Sequence, residues 1–99
     1  MSPLEGTQKF LRNYVADAGS LDELRDDAAR TAAWNPRPIR AALRAIDALI
    51  SDPPRDGTLS WIVEFDAGWV LDDPSDSGAI EFLYRITEVL REVLDRAQR

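Results

Sequence analysis

Acidic and aromatic side chains are concentrated in residues 58–78 of this 99-residue chain. Seven acidic side chains lie between residues 52 and 76, where Arg55 is the only basic one. Clustered carboxylates can coordinate calcium, catalyse acid–base reactions in pairs, or form ion pairs with a basic partner. Trp61 and Trp69 lie in the same segment, and tryptophan often contributes strongly to the binding energy of protein interfaces. Residues 58–78 are therefore the first candidates for a functional site.

The acidic residues do not have the spacing of a calcium-binding loop. An EF-hand loop beginning at Asp72 would need a ligand at its third position, glycine at its sixth and a bidentate glutamate at its twelfth. Those positions hold Pro74, Ser77 and Leu83. We therefore predict that the protein has no metal site.

The residue types also argue against catalysis. The chain contains no histidine and no cysteine, so the commonest general base and the thiolate nucleophile are both missing. Asp66 and Asp72 could form a carboxylate pair of the kind that glycoside hydrolases use, but a short helical chain offers little cleft for a sugar. There is no catalytic triad, phosphate-binding loop or dinucleotide motif. We predict that the protein is not an enzyme and uses no cofactor.

Protein binding is the chemistry that fits the segment best. Because Trp69 follows Gly68 at the end of the apolar run, we predict that it is an exposed anchor surrounded by carboxylates. Trp61 and Phe65 are assigned mainly to the core, since large aromatic side chains are usually mostly buried. Asp73 and Asp76 could alternatively cap or complement the following helix. The predicted binding residues are Glu64, Asp66, Trp69, Asp72, Asp73 and Asp76.

The distribution of charge supports a basic protein partner. The formal net charge is −6, and it comes entirely from the second half of the chain. An acidic surface repels nucleic acid and anionic lipid, and it accelerates encounters with basic proteins. The exception is a helical face with Arg37, Arg40 and Arg44, which is an alternative site for nucleic acid. Without an interleaved aromatic residue, that face is more typical of a solvated helix surface.

Helical spacing and capping motifs predict three helices in the first half of the chain. Ser2 begins a capping box before a helix over residues 3–17, and Ser20 begins a second before a helix over residues 21–33. Pro36 must interrupt the second helix, and the third is predicted over residues 37–50.

The second half contains one ambiguous segment and one clear helix. Residues 59–71 have apolar side chains that fit either a strand or a helix. We favour a helix with Thr58 as its N-cap, because a lone strand would have no partner, and a hairpin turning at residues 66–68 is the alternative. The final helix is predicted over residues 75–97, where apolar residues recur every three or four positions. The fold class is therefore an all-α single domain of about five helices, arranged as a bundle or a short solenoid.

Composition also predicts the compartment. The absence of cysteine fits a cytosolic protein, and the first residues lack the basic and apolar regions of a signal peptide. No uninterrupted apolar run approaches the roughly 20 residues of a membrane span. We expect a cytoplasmic protein that does not bind membranes.

Two sequence patterns resemble a family of short, acidic, helical bacterial proteins. These patterns are LDEL at residues 21–24 and WVLDDP at residues 69–74, the latter followed by a long amphipathic helix. They are similar to those of immunity proteins from contact-dependent growth inhibition systems. The chain departs from some members by lacking an N-terminal Tyr-Phe-His run, with only Tyr14 near that place.

This resemblance implies a specific function. Such a protein binds one cognate toxin domain, often a nuclease, in the cytoplasm of the producing cell and blocks its activity. A nuclease surface must be basic to hold a polyphosphate, which agrees with the acidic segment. The alternatives are a helical scaffold or regulatory module that self-associates through the apolar stripe of the last helix, so that a homo-oligomer is possible, and a nucleic-acid-binding domain.

Overall fold

The computed structural model describes residues 2–97, and these residues form an all-α bundle. The helices are α1 (Pro3–Phe10), α2 (Leu21–Trp34), α3 (Arg37–Ser51), α4 (Thr58–Phe65) and α5 (Asp76–Ala97). A π-helical segment, Leu11–Val15, continues α1 directly. No helix within residues 2–97 has both the length and the apolarity that a membrane span would need.

The first three helices begin and end close to their predicted positions. The Ser2 and Ser20 hydroxyls accept hydrogen bonds from the backbone amides of Glu5 and Glu23, so both predicted caps are confirmed. The first helix is two residues shorter than predicted, and its last part has wide π turns rather than α turns. The Ala16 amide accordingly donates to the Leu11 carbonyl, five residues earlier.

The segment after α3 differs from the prediction in three ways. The helical interpretation is correct only to Phe65, and the hairpin alternative is wrong. The chain leaves the helix at Gly68, whose φ of 68° lies in the left-handed region that favours glycine. The N-cap is Gly57 rather than Thr58, so no capping side chain comes from that position. Residues 66–75 are an irregular connection from α4 to α5.

The longest helix, α5, is the centre of the bundle. It packs against α2, α3 and α4, while α1 packs against α3. The apolar stripe of α5 is buried in this core, including Leu83, Ile86 and Leu90, which are fully enclosed. The stripe through which the scaffold alternative would self-associate is therefore already covered by the chain's own helices.

Ion pairs connect the surfaces of the packed helices. Arg25 on α2 contacts Glu92 on α5 at 3.2 Å, and Arg91 on α5 contacts Asp47 on α3 at 3.0 Å. Exposed pairs of this kind contribute less than about 1 kcal/mol each, so burial of the apolar stripe carries most of the stability.

Candidate partner-binding surface

Helix α4 has one buried face and one aromatic face in solvent. Leu59, Ile62 and Val63 are buried. On the opposite face, the side chains of Trp61 and Phe65 are 51% and 63% exposed. Their rings lie 5.0 Å apart between centroids with an interplanar angle of 33°. The two rings form a contiguous aromatic surface that the core does not use.

The prediction that Trp61 and Phe65 belong mainly to the core is therefore wrong. In a helix, residues 59, 62, 63 and 66 share one face, and residues 61 and 65 lie on the other. Leu59, Ile62 and Val63 occupy the contact with α5, so the larger aromatic side chains are left outside. The sequence does contain a signal for this arrangement. The three aliphatic residues share one side of a helix, and their spacing could have placed Trp61 and Phe65 on the opposite side.

Trp69 has the opposite position to the one predicted. Its side chain is half-buried against the core, with its ring 5.0 Å from that of Phe82 between centroids. The indole Nε1 donates a hydrogen bond of 3.0 Å to the Val15 carbonyl, at the end of the π segment. The same carbonyl also accepts from the Ala18 amide at 3.1 Å, so its two lone pairs serve the helix end and the indole. Trp69 thus attaches the α4–α5 connection to the first helix and is not an exposed anchor.

Val70 is another exposed apolar side chain of this segment that the sequence interpretation missed. It is 96% exposed, directly after the half-buried Trp69. It lines a small cavity of about 100 Å³ together with Glu64 and Leu71. It also borders a second cavity of about 300 Å³, which Asp72 and Asp73 line. Val70 therefore connects the surface of α4 with the acidic residues that follow it.

Asp76 has a structural role that joins α4 to α5. One carboxylate oxygen accepts from the Gly57 amide at 2.7 Å, and the other accepts from the Ser60 amide at 3.0 Å. These two hydrogen bonds lower the pKa of Asp76 below its ordinary value, because they stabilise the charged carboxylate. Gly57 has no side chain with which to cap α4, so Asp76 supplies the cap from the next helix.

Asp66 is also occupied within the fold. Its Oδ2 accepts a hydrogen bond of 3.1 Å from the side-chain Nε2 of Gln8 on α1. Only 8% of the residue is exposed to solvent. Asp66 therefore offers little surface to a partner, and its place among the exposed binding residues is a correction to the prediction.

Asp73 is exposed, and it also organises the start of α5. Its carboxylate accepts from the Ser75 hydroxyl at 2.6 Å and from the Ser75 amide at 3.1 Å. These bonds lower the pKa of Asp73, with the hydroxyl contributing most. The Ser75 hydroxyl in turn accepts from the Gly78 amide at 3.4 Å, as expected for a helix cap. Asp73 thus has the structural role at the start of α5 that the sequence allowed, and its carboxylate is also exposed to solvent.

Three of the predicted acidic residues, Glu64, Asp72 and Asp73, are exposed near the aromatic residues. Within residues 2–97, no three acidic side chains are close enough together to hold a metal ion. We use the name acidic aromatic face for one set of exposed residues: Trp61, Glu64, Phe65, Val70, Asp72 and Asp73.

Comparison with known protein families, with curated proteins and with solved structures finds no match to this chain.

Proposed function

We propose that this protein is a cytoplasmic immunity protein that binds and neutralises a toxin domain through the acidic aromatic face. The observation that carries the proposal is the pair of exposed, touching aromatic rings of Trp61 and Phe65 on α4, beside carboxylates. Monomeric proteins seldom expose neighbouring large aromatics unless the surface binds something. The resemblance of residues 21–24 and 69–74 to immunity proteins supports the same function.

The composition of the face suits a basic protein surface. Interface centres are enriched in tryptophan and phenylalanine, and polar or charged residues form the rim. Trp61 and Phe65 would fill the centre, and Glu64 and Asp72 would pair with lysine or arginine of the toxin. A nuclease is the favoured toxin, since its substrate-binding surface is necessarily basic. Occupation of that surface would block the substrate without any chemical step.

The residues behind the face hold it in one conformation. Trp69 attaches the connection to α1, and Asp76 holds the beginning of α4 against the beginning of α5. A surface that is already ordered loses less conformational entropy on binding, which favours affinity. Trp69 and Asp76 therefore contribute to binding by positioning other residues rather than by touching the toxin.

Co-expression with the toxin domain encoded by the neighbouring gene tests the function. The toxin alone should stop growth, and the wild-type protein should restore it. If the wild-type protein fails to restore growth, the proposed function is wrong.

A double variant tests the site separately. Trp61→Ala with Phe65→Ala should weaken binding of inactivated toxin about 30-fold or more, the effect of losing a hot spot worth about 2 kcal/mol. Trp34→Ala is the matched control, because Trp34 is 94% exposed but lies on α2. Isothermal titration calorimetry measures both variants. If the wild type and the double variant bind the toxin with equal affinity, the proposed binding site is wrong. The proposed function would still stand, because the co-expression experiment tests it separately.

A further inference from the structure

A long groove runs along the contact between α1 and α3 on the surface of the bundle. It has a volume of about 650 Å³ and is lined along both helices. On α3 the lining extends from Pro38 to Ala48, which corresponds to about 15 Å of helix. On α1 it extends from Ser2 to Tyr14 at the end of the π segment. The groove therefore follows the helix axes for about three turns.

Small side chains form most of the groove floor. Helix α3 contributes Ala41, Ala45 and Ala48, and α1 contributes Gly6. Small residues at helix surfaces allow another helix to approach closely, because backbones then pack with little side-chain bulk between them. The half-buried Tyr14, whose ring stacks on the buried Phe10 at 5.0 Å between centroids, adds an aromatic surface at one end of the groove.

Cations without partners border this apolar floor. Lys9 lines the groove from α1, and Arg44 lines it from α3. Arg37 lies two helical turns before Arg44 and so on the same side of α3. Within residues 2–97, none of these three side chains has a carboxylate within ion-pair distance, whereas Arg25 has two and Arg85 and Arg91 each have one. The positive charge at the groove is thus not neutralised by the chain itself.

We propose that the α1–α3 groove binds an amphipathic helix of a partner protein, one with an apolar stripe flanked by aspartate or glutamate. The apolar stripe would lie on the alanine floor, and its acidic flanks would meet Lys9 on one side and Arg44 on the other. This is the helix-in-groove mode of recognition, in which apolar anchors supply affinity and the charged flanks select the partner. The groove is built from different helices than the acidic aromatic face, so substitutions can test the two surfaces separately.

A pair of helical peptides tests this directly. The probe is a fluorescein-labelled, alanine-based peptide of about 15 residues, long enough to be helical, with leucines on one face and glutamates on both sides. The control peptide has glutamine in place of every glutamate, so it has no charge that could attract it to the acidic aromatic face. Fluorescence anisotropy with the intact protein should show saturable binding of the acidic peptide, and binding of the neutral peptide weaker by about tenfold or more. Equal binding of the two peptides would overturn the proposal.

Matched variants locate the binding. Ala41→Glu places a carboxylate on an exposed position of the groove and should weaken the acidic peptide by about tenfold or more. Ala29→Glu is the same change at an exposed position of α2 and should leave binding unaltered. Arg44→Glu should also weaken binding, whereas Arg55→Glu in the loop after α3 should not. Circular dichroism confirms that all four variants fold, and unchanged peptide affinity in both groove variants contradicts the proposal.

Three other occupants would each give a distinct result. If a second copy fills the groove, sedimentation will show a dimer that Ala41→Glu dissociates. If a fatty acid is the occupant, laurate will bind and displace the acidic peptide. If nucleic acid binds the arginines, a duplex will bind with strong salt dependence and Arg44→Glu will abolish it, with no affinity for the peptide. Each of these results replaces the acidic helix with another ligand.

Discussion

The acidic aromatic face and the α1–α3 groove differ in shape, in charge and in what surrounds their charged groups. The face projects two rings and Val70 into solvent, and it lies beside Asp66 and Asp76, whose carboxylates are hydrogen-bonded within the fold. The groove is concave, and Lys9 and Arg44 at its edges have no ion-pair partner among the described residues. Hydrogen bonds within the fold position the acidic aromatic face, whereas the groove is a concave surface along the contact between α1 and α3.

Charged residues near the acidic aromatic face and charged residues at the groove have different roles. Near the face, several carboxylates stabilise the fold, whereas at the groove the cations are available to a partner. On the acidic side, an acidic residue cannot be assigned to binding from its charge alone, because helix capping uses the same carboxylates. On the basic side, Arg37 and Arg44 form no ion pair within residues 2–97. Substitutions should therefore affect stability strongly behind the acidic aromatic face and weakly at the groove.

The largest loss of stability is expected for Gly78→Ala in the first turn of α5. A Cβ atom there would lie 1.9 Å from the Asp73 carbonyl oxygen, so the backbone behind the face would have to move. We expect a loss of about 3 kcal/mol in the free energy of unfolding, as for severe overpacking. Urea denaturation measures it. Gly19→Ala is the control, since its Cβ would meet only the flexible Glu23 side chain, and a similar loss there would contradict the explanation.

The two tryptophans of the segment should differ in their contributions to stability. Trp69→Ala removes the packing on Phe82 and the hydrogen bond to Val15, which should destabilise the protein by about 2–3 kcal/mol. Trp61→Ala, on the exposed face, should change stability by about 0.5 kcal/mol or less. Thermal and urea denaturation of both variants compare them. Equal losses would mean that the aromatic face is part of the core after all.

The Asp76 cap should make stability depend on pH. The pKa of Asp76 is lower in the folded state than its ordinary value of 3.8. Its contribution to the free energy of unfolding is therefore complete above pH 3.8 and is lost as pH falls through the folded-state pKa. Asp76→Ala should cost about 1–2 kcal/mol at pH 7, as for loss of a helix cap. The difference between wild type and variant should shrink in urea titrations below pH 4. A difference that is the same at pH 3 and pH 7 would exclude the charged cap.

The smallest effect on stability is expected at the groove. Arg44→Ala and Arg37→Ala remove cations that form no ion pair within the described residues, so each should change the free energy of unfolding by about 0.5 kcal/mol or less. Chemical denaturation at low ionic strength is the most sensitive measurement, because screening is then weakest. If the free energy of unfolding fell by more than about 1 kcal/mol, these arginines would have a role in stabilising the fold.

Local sequence patterns predicted most of the fold. The hydroxyls of Ser2 and Ser20, the break at Pro36 and the periodic apolar residues of α5 all act within a few residues, so their effects were readable from the chain. The ion pairs Glu81–Arg85 and Glu92–Arg96, at 3.2 Å and 2.9 Å, also join residues only four positions apart on α5. The end of α4 was misplaced because Gly68 can adopt a left-handed conformation that its neighbours do not dictate.

The sequence predicted which residue types form the candidate site, but it did not predict the role of each residue. The sequence concentrated acidic and aromatic residues in residues 58–78, and it determined the helical character of the chain through its own spacing and caps. Tertiary packing decided that Trp61 and Phe65 face solvent, that Trp69 reaches Val15, and that Asp66 and Asp76 serve the fold. Those outcomes depend on contacts between residues 16 to 58 positions apart. Local spacing cannot report such contacts, because they exist only after the helices have packed.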